Sequence, residues 1–157
     1  MPQDEAVKIV ATNRKAYHDY LILQSFETGI ILTGTEVKSV REGKINLKDS
    51  YATIKNNEIF VLNMHISPYH HATAFNHEPL RNRKLLLHRA EINKLDGKIK
   101  ERGLTLIPLK VYLKKGHVKI ELALVKGKKL YDRRDDIAKR DLDRETKREA
   151  KHNIHYH

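Results

Sequence analysis

The strongest constraint on what this chain can fold into lies between Leu104 and Lys126. Leu109, Val111 and Leu113 alternate with Lys110, Tyr112 and Lys114. After Lys115-Gly116 the pattern resumes, with Val118, Ile120, Leu122 and Leu124 alternating with Lys119, Glu121 and Ala123. A period of two sends successive side chains to opposite faces, so each run reads as a strand with one apolar and one polar face. A two-residue connection containing glycine joins such runs as an antiparallel hairpin. The apolar face must be covered, so the rest of the chain has to supply further strands or helices.

It supplies them in order. Residues 1–12 read as a frayed end that pairs at most briefly through Val7, Ile9 and Val10. Asn13, Arg14 and Lys15 open a polar cluster, and Tyr17–Phe26 reads as a strand. Glu27-Thr28-Gly29 reads as a turn into a second short strand, Ile30–Leu32. Thr35–Gly43 changes period: Val37 and Val40 share a side, Thr35 is the expected N-cap, and Gly43 suits the position just past the C-cap. Lys38, Arg41 and Lys44 fall on one face of that helix. Ser50–Ile54 and Glu58–Asn63 read as strands joined through Asn56-Asn57, since Asn tolerates positive φ. Residues 67–84 read as irregular or briefly helical. Leu87–Arg102 carries a helical pattern, with Gly103 as its stop. About six short antiparallel strands are too many for an exposed open sheet, so the expectation is a mainly β fold. It takes the form of a closed, OB-like barrel over residues 1–126 with inserted short helices.

Residues 127–157 are different material, with more than half of their side chains charged. Between Leu142 and Ile154 the one apolar residue is Ala150. Such a segment has no face to bury, so it reads as a separate basic tail, disordered alone or helical when bound. At helical spacing Arg140, Arg144, Lys147, Arg148 and Lys151 fall within an arc of about 100°, beside an acidic stripe of Asp141, Glu145 and Glu149.

A net charge of +11 points to a polyanionic partner. Asn76–His88, NHEPLRNRKLLLH, is the densest candidate contact: three cations, Arg81, Arg83 and Lys84, precede Leu85-Leu86-Leu87. Cations on a loop anchored by an apolar triplet suit an RNA grip, and suit equally well a charged loop beside a buried element. There is no apolar run long enough to span a membrane and no secretory leader pattern, so the chain is expected to be cytoplasmic. Cysteine is absent, which removes disulfides, thiol nucleophiles and thiolate metal sites. His70-His71, His77 and His88 have no carboxylate at familiar ligand spacing, and His152, His155 and His157 sit at the chain end, so no metal or cofactor is expected. Glu27, Glu36, Glu58 and His77 are chemically able to do acid–base work on RNA, but no motif pairs them. A binding protein is therefore expected rather than an enzyme.

Four segments in order, NRKAYHDY (13–20), FETGIILTGTEVKSVREGKINLKDSY (26–51), NHEPLRNRKLLLH (76–88) and KGKKLYDRRDDIAKRD (126–141), closely resemble the SsrA-binding (small protein B) family of bacterial trans-translation. The resemblance implies an OB-like body that binds the tRNA-like domain of transfer-messenger RNA and delivers it to stalled ribosomes. The RNA it delivers is the product of alanyl-tRNA synthetase, held in one complex with elongation factor Tu by a monomeric protein. It implies RNA-facing positions at Asn13, Lys15, Glu27, Glu36, Lys38, Arg41, Asn76, Arg83, Lys84, Leu86 and His88. It implies tail positions at Gly127, Lys128, Lys129, Tyr131, Asp132, Arg133 and Arg134 that act at the small-subunit decoding centre and along the mRNA channel against ribosomal RNA. The departures are small: Gln24 or Ser25 stands where an acidic residue is frequent, Thr28 where Ala is, Arg133 where Lys is, and His88 where some members have Asn.

Carboxylates in an RNA site need a reason, because they repel phosphate. Glu27 and Glu36 can accept hydrogen bonds from base edges or 2′-hydroxyls, or orient a neighbouring cation. For Glu36 a local salt bridge with Lys38 or Arg41 is an equal reading. Leu86 either covers a base or sugar or belongs to the core. The competing functional readings are a generic OB-type ribosome-associated RNA-binding protein and a metal-dependent nuclease.

Overall fold

In the computed structural model, which describes residues 6–72 and 75–127, the chain is mainly β. The elements are β1 (Val7–Thr12), α1 (Arg14–Asp19), β2 (Tyr20–Ile30), α2 (Gly34–Arg41), β3 (Ile45–Asn46) and β4 (Tyr51–Lys55). They continue with β5 (Glu58–Leu62), β6 (His65–Ile66), β7 (Arg83–Leu86), α3 (Arg89–Arg102), β8 (Thr105–Lys114) and β9 (His117–Gly127). Seven strands form one sheet in the order β1-β8-β4-β5-β7-β2-β9, and β9 pairs again with β8, so the sheet returns on itself as a ring. β3 and β6 make a separate two-stranded sheet. None of the described helices is long and apolar enough to cross a membrane.

The hairpin at the centre forms as its pattern requires. Lys114 pairs with His117, and Lys115 and Gly116 have φ of 52° and 78°, the two positive values of a tight hairpin turn. Asn56 (φ 53°) and Asn57 (φ 62°) make the equivalent turn between β4 and β5. The alternation in β8 slips once. The register jumps between Pro108 and Lys110, leaving Leu109 as a bulge. Leu104 and Leu106 before the bulge and Val111 after it therefore share the inner core with Val40, Ile59, Val61, Leu85, Ile120, Leu122 and Leu124. Ile107 and Leu109 face the other side, where Ala16 of α1, Ala123 and Val125 form a second cluster. Long-strand alternation alone places Leu109 with Val111; the bulge separates them.

Other expectations change. Val7–Thr12 is not frayed but pairs with Lys110–Lys114. Glu27-Thr28-Gly29 is not a turn: β2 runs unbroken through it, with Thr28 buried and Gly29 opposite Leu86. Residues 14–19 form a helix, initiated by Asn13, in place of the expected polar loop and strand start. The cap of α2 is Thr33, two residues before the expected Thr35. Thr33 and Glu36 form a reciprocal capping box, a pattern that a frame starting on Thr35 does not reveal. Among the described residues the strand count goes from about six to nine: β1, β3, β6 and β7 are added, being short or charged and so breaking the apolar alternation, while the two expected strands before Thr33 merge into β2. The expected tail, after Gly127, lies outside the described residues, including Lys128, Lys129, Tyr131, Asp132, Arg133, Arg134, Arg140, Arg144, Lys147 and Arg148.

Candidate nucleic-acid interface

β7 sorts the basic stretch into two sides. Arg83 and Leu85 are buried while Lys84 and Leu86 point outward, as alternation along a strand demands. Leu86 is half exposed, and its strand partner is Gly29. A Cβ at position 29 would meet Leu86 Cδ1 at 3.2 Å, tighter than an ordinary contact, so Leu86 packs closely over the glycine. Glu27 stands two residues back on the same outward face of β2. A groove of about 530 Å³ lined by Gly29, Val37, Arg41, Leu86, His117 and Lys119 adjoins them. Arg41 is fixed at its rim by donating from Nη2 to the Gly116 carbonyl at 3.3 Å. The result is an exposed apolar side chain beside a carboxylate and bordered by cations.

Glu27 is held rather than loose. Its Oε2 accepts from Tyr112 Oη and from Lys114 Nζ, the latter at 3.3 Å. The Tyr112 hydrogen bond, against a smaller opposing effect of burial, and then Lys114 and the charge of Lys119 keep the carboxyl below its usual range, so it is an anion at neutral pH. Burial first, and then this same anion, push the Tyr112 phenol up, which keeps it a donor. Oε1 takes no hydrogen bond from the described residues, and the side chain borders a hollow of about 430 Å³ lined by Val7, Ile9, Ser25, Phe26, Lys110 and Glu121. An oriented acceptor next to apolar walls suits an amino or hydroxyl donor better than a phosphate.

Glu36 has a different role from the one the sequence suggested, and its partners are neither Lys38 nor Arg41. It is fully buried. Oε1 accepts from Thr33 N at 2.8 Å and from Arg81 Nη2 at 2.7 Å; Oε2 accepts from Arg81 Nε at 3.2 Å and from Arg83 Nε at 2.5 Å. Burial opposes its ionisation, but hydrogen bonds from Arg81, Thr33 and Arg83, with the charge of Arg83, outweigh it and hold the carboxyl at about 2. Arg83, itself fully buried, spends its other donors on the Met64, Glu78 and Pro79 carbonyls. The RNA-facing expectation for Glu36 and Arg83 is therefore corrected: a side chain sealed from solvent cannot touch RNA, and this pair pins residues 78–83 to α2.

Asn13 is also an interior residue. Its Oδ1 accepts from Ala16 N at 3.2 Å, capping α1, and its Nδ2 donates to the Leu47 and Pro108 carbonyls at 3.3 and 3.0 Å. It thus anchors α1 to the β8 bulge. Asn13→Ala is expected to cost about 1–3 kcal/mol, combining a lost cap with two orphaned buried carbonyls, measurable as a lower urea midpoint with unchanged slope.

The remaining candidates are at the surface. Lys15 pairs with Asp49 at 3.4 Å. Lys38 lies over the Tyr69 ring, 5.5 Å from its centroid. Lys84 pairs with Glu58. Asn76 brackets Tyr69, accepting from its N–H at 3.0 Å and donating to its carbonyl at 2.9 Å. His88 is the N-cap residue of α3 without a side-chain cap bond. Of the groups considered for acid–base work, Glu27, Glu36 and Glu58 are engaged as described. His77 uses both nitrogens: Nε2–H donates to the Ile66 carbonyl at 2.9 Å, which leaves Nδ1 to accept from Thr35 Oγ1 at 2.9 Å. Sequence reading missed Gly29 and Tyr112. The signal for Tyr112 was its place on the polar side of an alternating strand; for Gly29 there was none until the β2–β7 register was known.

Residues 10–152 match the model of the family described as SmpB protein. An SsrA-binding protein of Acetivibrio thermocellus is 63% identical over 150 residues, covering 96% of this chain and 97% of the relative. An SsrA-binding protein of Caldanaerobacter subterraneus is 61% identical over 149 residues, covering 95% and 94%. Among solved structures, a chain from "tmRNA-SmpB: a journey to the center of the bacterial ribosome" superposes with a TM-score of 0.66 at 46% identity, covering 79% of this chain and 87% of that one.

Proposed function

The chain belongs to the SmpB protein family, and from that premise we propose that it binds transfer-messenger RNA and acts with it on the ribosome in trans-translation. It is an RNA-binding adaptor. In this reading the ring of strands serves as an OB-like platform for the tRNA-like domain. The outward set Glu27, Arg41, Lys84, Leu86 and His88 meets RNA, with Lys15 and Lys38 adding charge. Asn13, Glu36, Asn76 and Arg83 hold those groups in place from beneath or beside. The protein acts as a monomer on alanine-charged RNA, together with elongation factor Tu, and its tail occupies the empty mRNA channel near the decoding centre.

The observation that carries the reading is the Leu86–Gly29–Glu27 face: an exposed apolar side chain and an oriented carboxylate among cations. A purely electrostatic surface needs neither. Glu27→Ala makes the protein more positive, so nonspecific attraction predicts tighter binding. Loss of an acceptor for a base or 2′-hydroxyl predicts weaker binding, by about 1.5–3 kcal/mol, or roughly ten- to a hundredfold. The weaker binding is expected for the tRNA-like domain, while a random hairpin is bound as before. Tyr112→Phe should move affinity the same way by a smaller amount, because it frees the carboxylate to rotate. Binding measured by filter retention at physiological salt decides; a Glu27→Ala protein with equal or higher affinity for the tRNA-like domain removes Glu27 from the interface.

Gly29→Val tests the apolar half. A branched side chain at this position must displace Leu86, so specific binding is expected to fall while the thermal midpoint changes little, β-branched residues being at home in a strand. Unchanged affinity would mean that Leu86 does not cover a nucleotide.

A further inference from the structure

Spacing along the chain offered His70 and His71 no carboxylate; folding brings one. Ala72 N donates to the Tyr69 carbonyl at 3.0 Å, so His70 and His71 occupy the two central positions of a four-residue turn. Adjacent side chains diverge in a strand, but here they converge, with ring centroids 3.8 Å apart. The turn is fixed on both flanks. Asn76 brackets Tyr69 with the two hydrogen bonds given above. Ser39 Oγ donates to the Ser67 carbonyl at 2.7 Å, and Ser67 N donates to the Lys44 carbonyl at 3.0 Å, tying the segment to the C-terminal end of α2. Glu42 is the C-cap residue of α2, and its Oε1 comes within 3.7 Å of His70 Nδ1. One donor atom from each of Glu42, His70 and His71 lies within 4.8 Å of the other two.

We propose that Glu42, His70 and His71 form a surface site for a divalent transition cation of the zinc type. Two imidazole nitrogens and one carboxylate oxygen suit zinc, whereas magnesium and calcium favour all-oxygen sets. Bonds of about 2.0–2.2 Å require donors roughly 3.3 Å apart, so no pair of donors has to close by more than about 1.5 Å, and the Glu42–His70 pair, at 3.7 Å, is already near that spacing. All three are solvent-exposed, so rotation of their side chains supplies that movement while the backbone stays as Ser39, Lys44 and Asn76 hold it. The fourth position remains open to solvent. A bound cation would cross-link the 69–72 turn to the end of α2, next to Arg41, and so stiffen one border of the RNA-binding face.

The test uses the full chain without an affinity tag. The histidines at 152, 155 and 157 can bind metal by themselves, so every measurement is repeated in an H152A/H155A/H157A background. Zn²⁺ is titrated by calorimetry and Co²⁺ by visible absorption. The expected result in that background is one bound equivalent, with the intense Co²⁺ bands of a four-coordinate ion. Glu42→Gln, His70→Ala and His71→Ala are each expected to weaken binding by about tenfold or more, with circular dichroism unchanged. Absence of binding in the tail-substituted background, or binding that survives a His70→Ala/His71→Ala double substitution, overturns the site. Neither outcome bears on the family's RNA function.

Discussion

Ending the chain after Gly127 is expected to leave binding to isolated transfer-messenger RNA nearly unchanged and to abolish tagging of stalled chains. The cut preserves the whole of β9, whose last partner in β8 is Thr105 opposite Val125, so the ring of strands stays closed. It also removes little net charge. Residues 128–157 hold ten Lys or Arg against seven Asp or Glu, a net of +3 out of the chain's +11, so the body retains most of its attraction for RNA. What the tail holds is arrangement. Placed at helical spacing, Arg140, Arg144, Lys147, Arg148 and Lys151 would share one side, and a long groove of ribosomal RNA is the surface that would neutralise such a stripe. Replacing Arg144, Lys147, Arg148 and Lys151 by Glu should therefore reproduce the truncation, although the chain length is unchanged. Tagging assayed in a reconstituted translation system, beside filter binding of the isolated RNA, separates the two activities. Normal tagging by the shortened protein, or outright loss of RNA binding, contradicts this division of labour.

The largest effect on stability is expected at Glu36. Glu36→Ala leaves two guanidinium groups without their carboxylate, and Arg83 is sealed from water, so the loss is about 3–5 kcal/mol. That is a large share of the stability of a domain this size. Urea unfolding followed by circular dichroism measures it. A Glu36→Leu/Arg83→Met double substitution should recover part of the loss, since it removes the charge left stranded as well as its partner. The pH dependence follows from the same group. Its folded carboxyl titrates at about 2, below its ordinary value of 4.5. The stabilisation is therefore complete above about 4.5 and fades as pH falls from there towards 2. In the Glu36→Ala protein this part of the acid sensitivity should be missing. A Glu36→Ala variant with wild-type stability and the same acid profile would show that the buried triad contributes nothing net.

The two roles of the basic loop explain why it was hard to read. Arg81, Arg83 and Lys84 are alike as sequence, yet each meets a carboxylate distant in the chain: Glu36 for the two arginines, Glu58 for the lysine. Local pattern cannot reveal an arginine's partner 45 or more residues away. For the same reason Asn13 looks like part of a polar cluster and is in fact a buried anchor, reaching a carbonyl 95 residues on. Short strands such as β1 and β7 are illegible because their stability comes from neighbours rather than from their own alternation. The Thr33 cap is legible in the sequence, but choosing the wrong threonine hides it.

By itself the sequence determined what depends on neighbours a few residues apart. Alternation set the β8–β9 hairpin, Asn56-Asn57 and Lys115-Gly116 set two tight turns, and helical spacing with Gly103 set α3. Four ordered motifs also carried the family. The tertiary structure alone decided which charges face water. Burial is a property of the closed sheet, and a carboxylate stays inside only where distant cations and backbone donors converge on it, as Arg81, Arg83 and Thr33 converge on Glu36. The same closure set Gly29 against Leu86 and turned Glu27 towards Tyr112, bringing together residues that the chain order keeps apart.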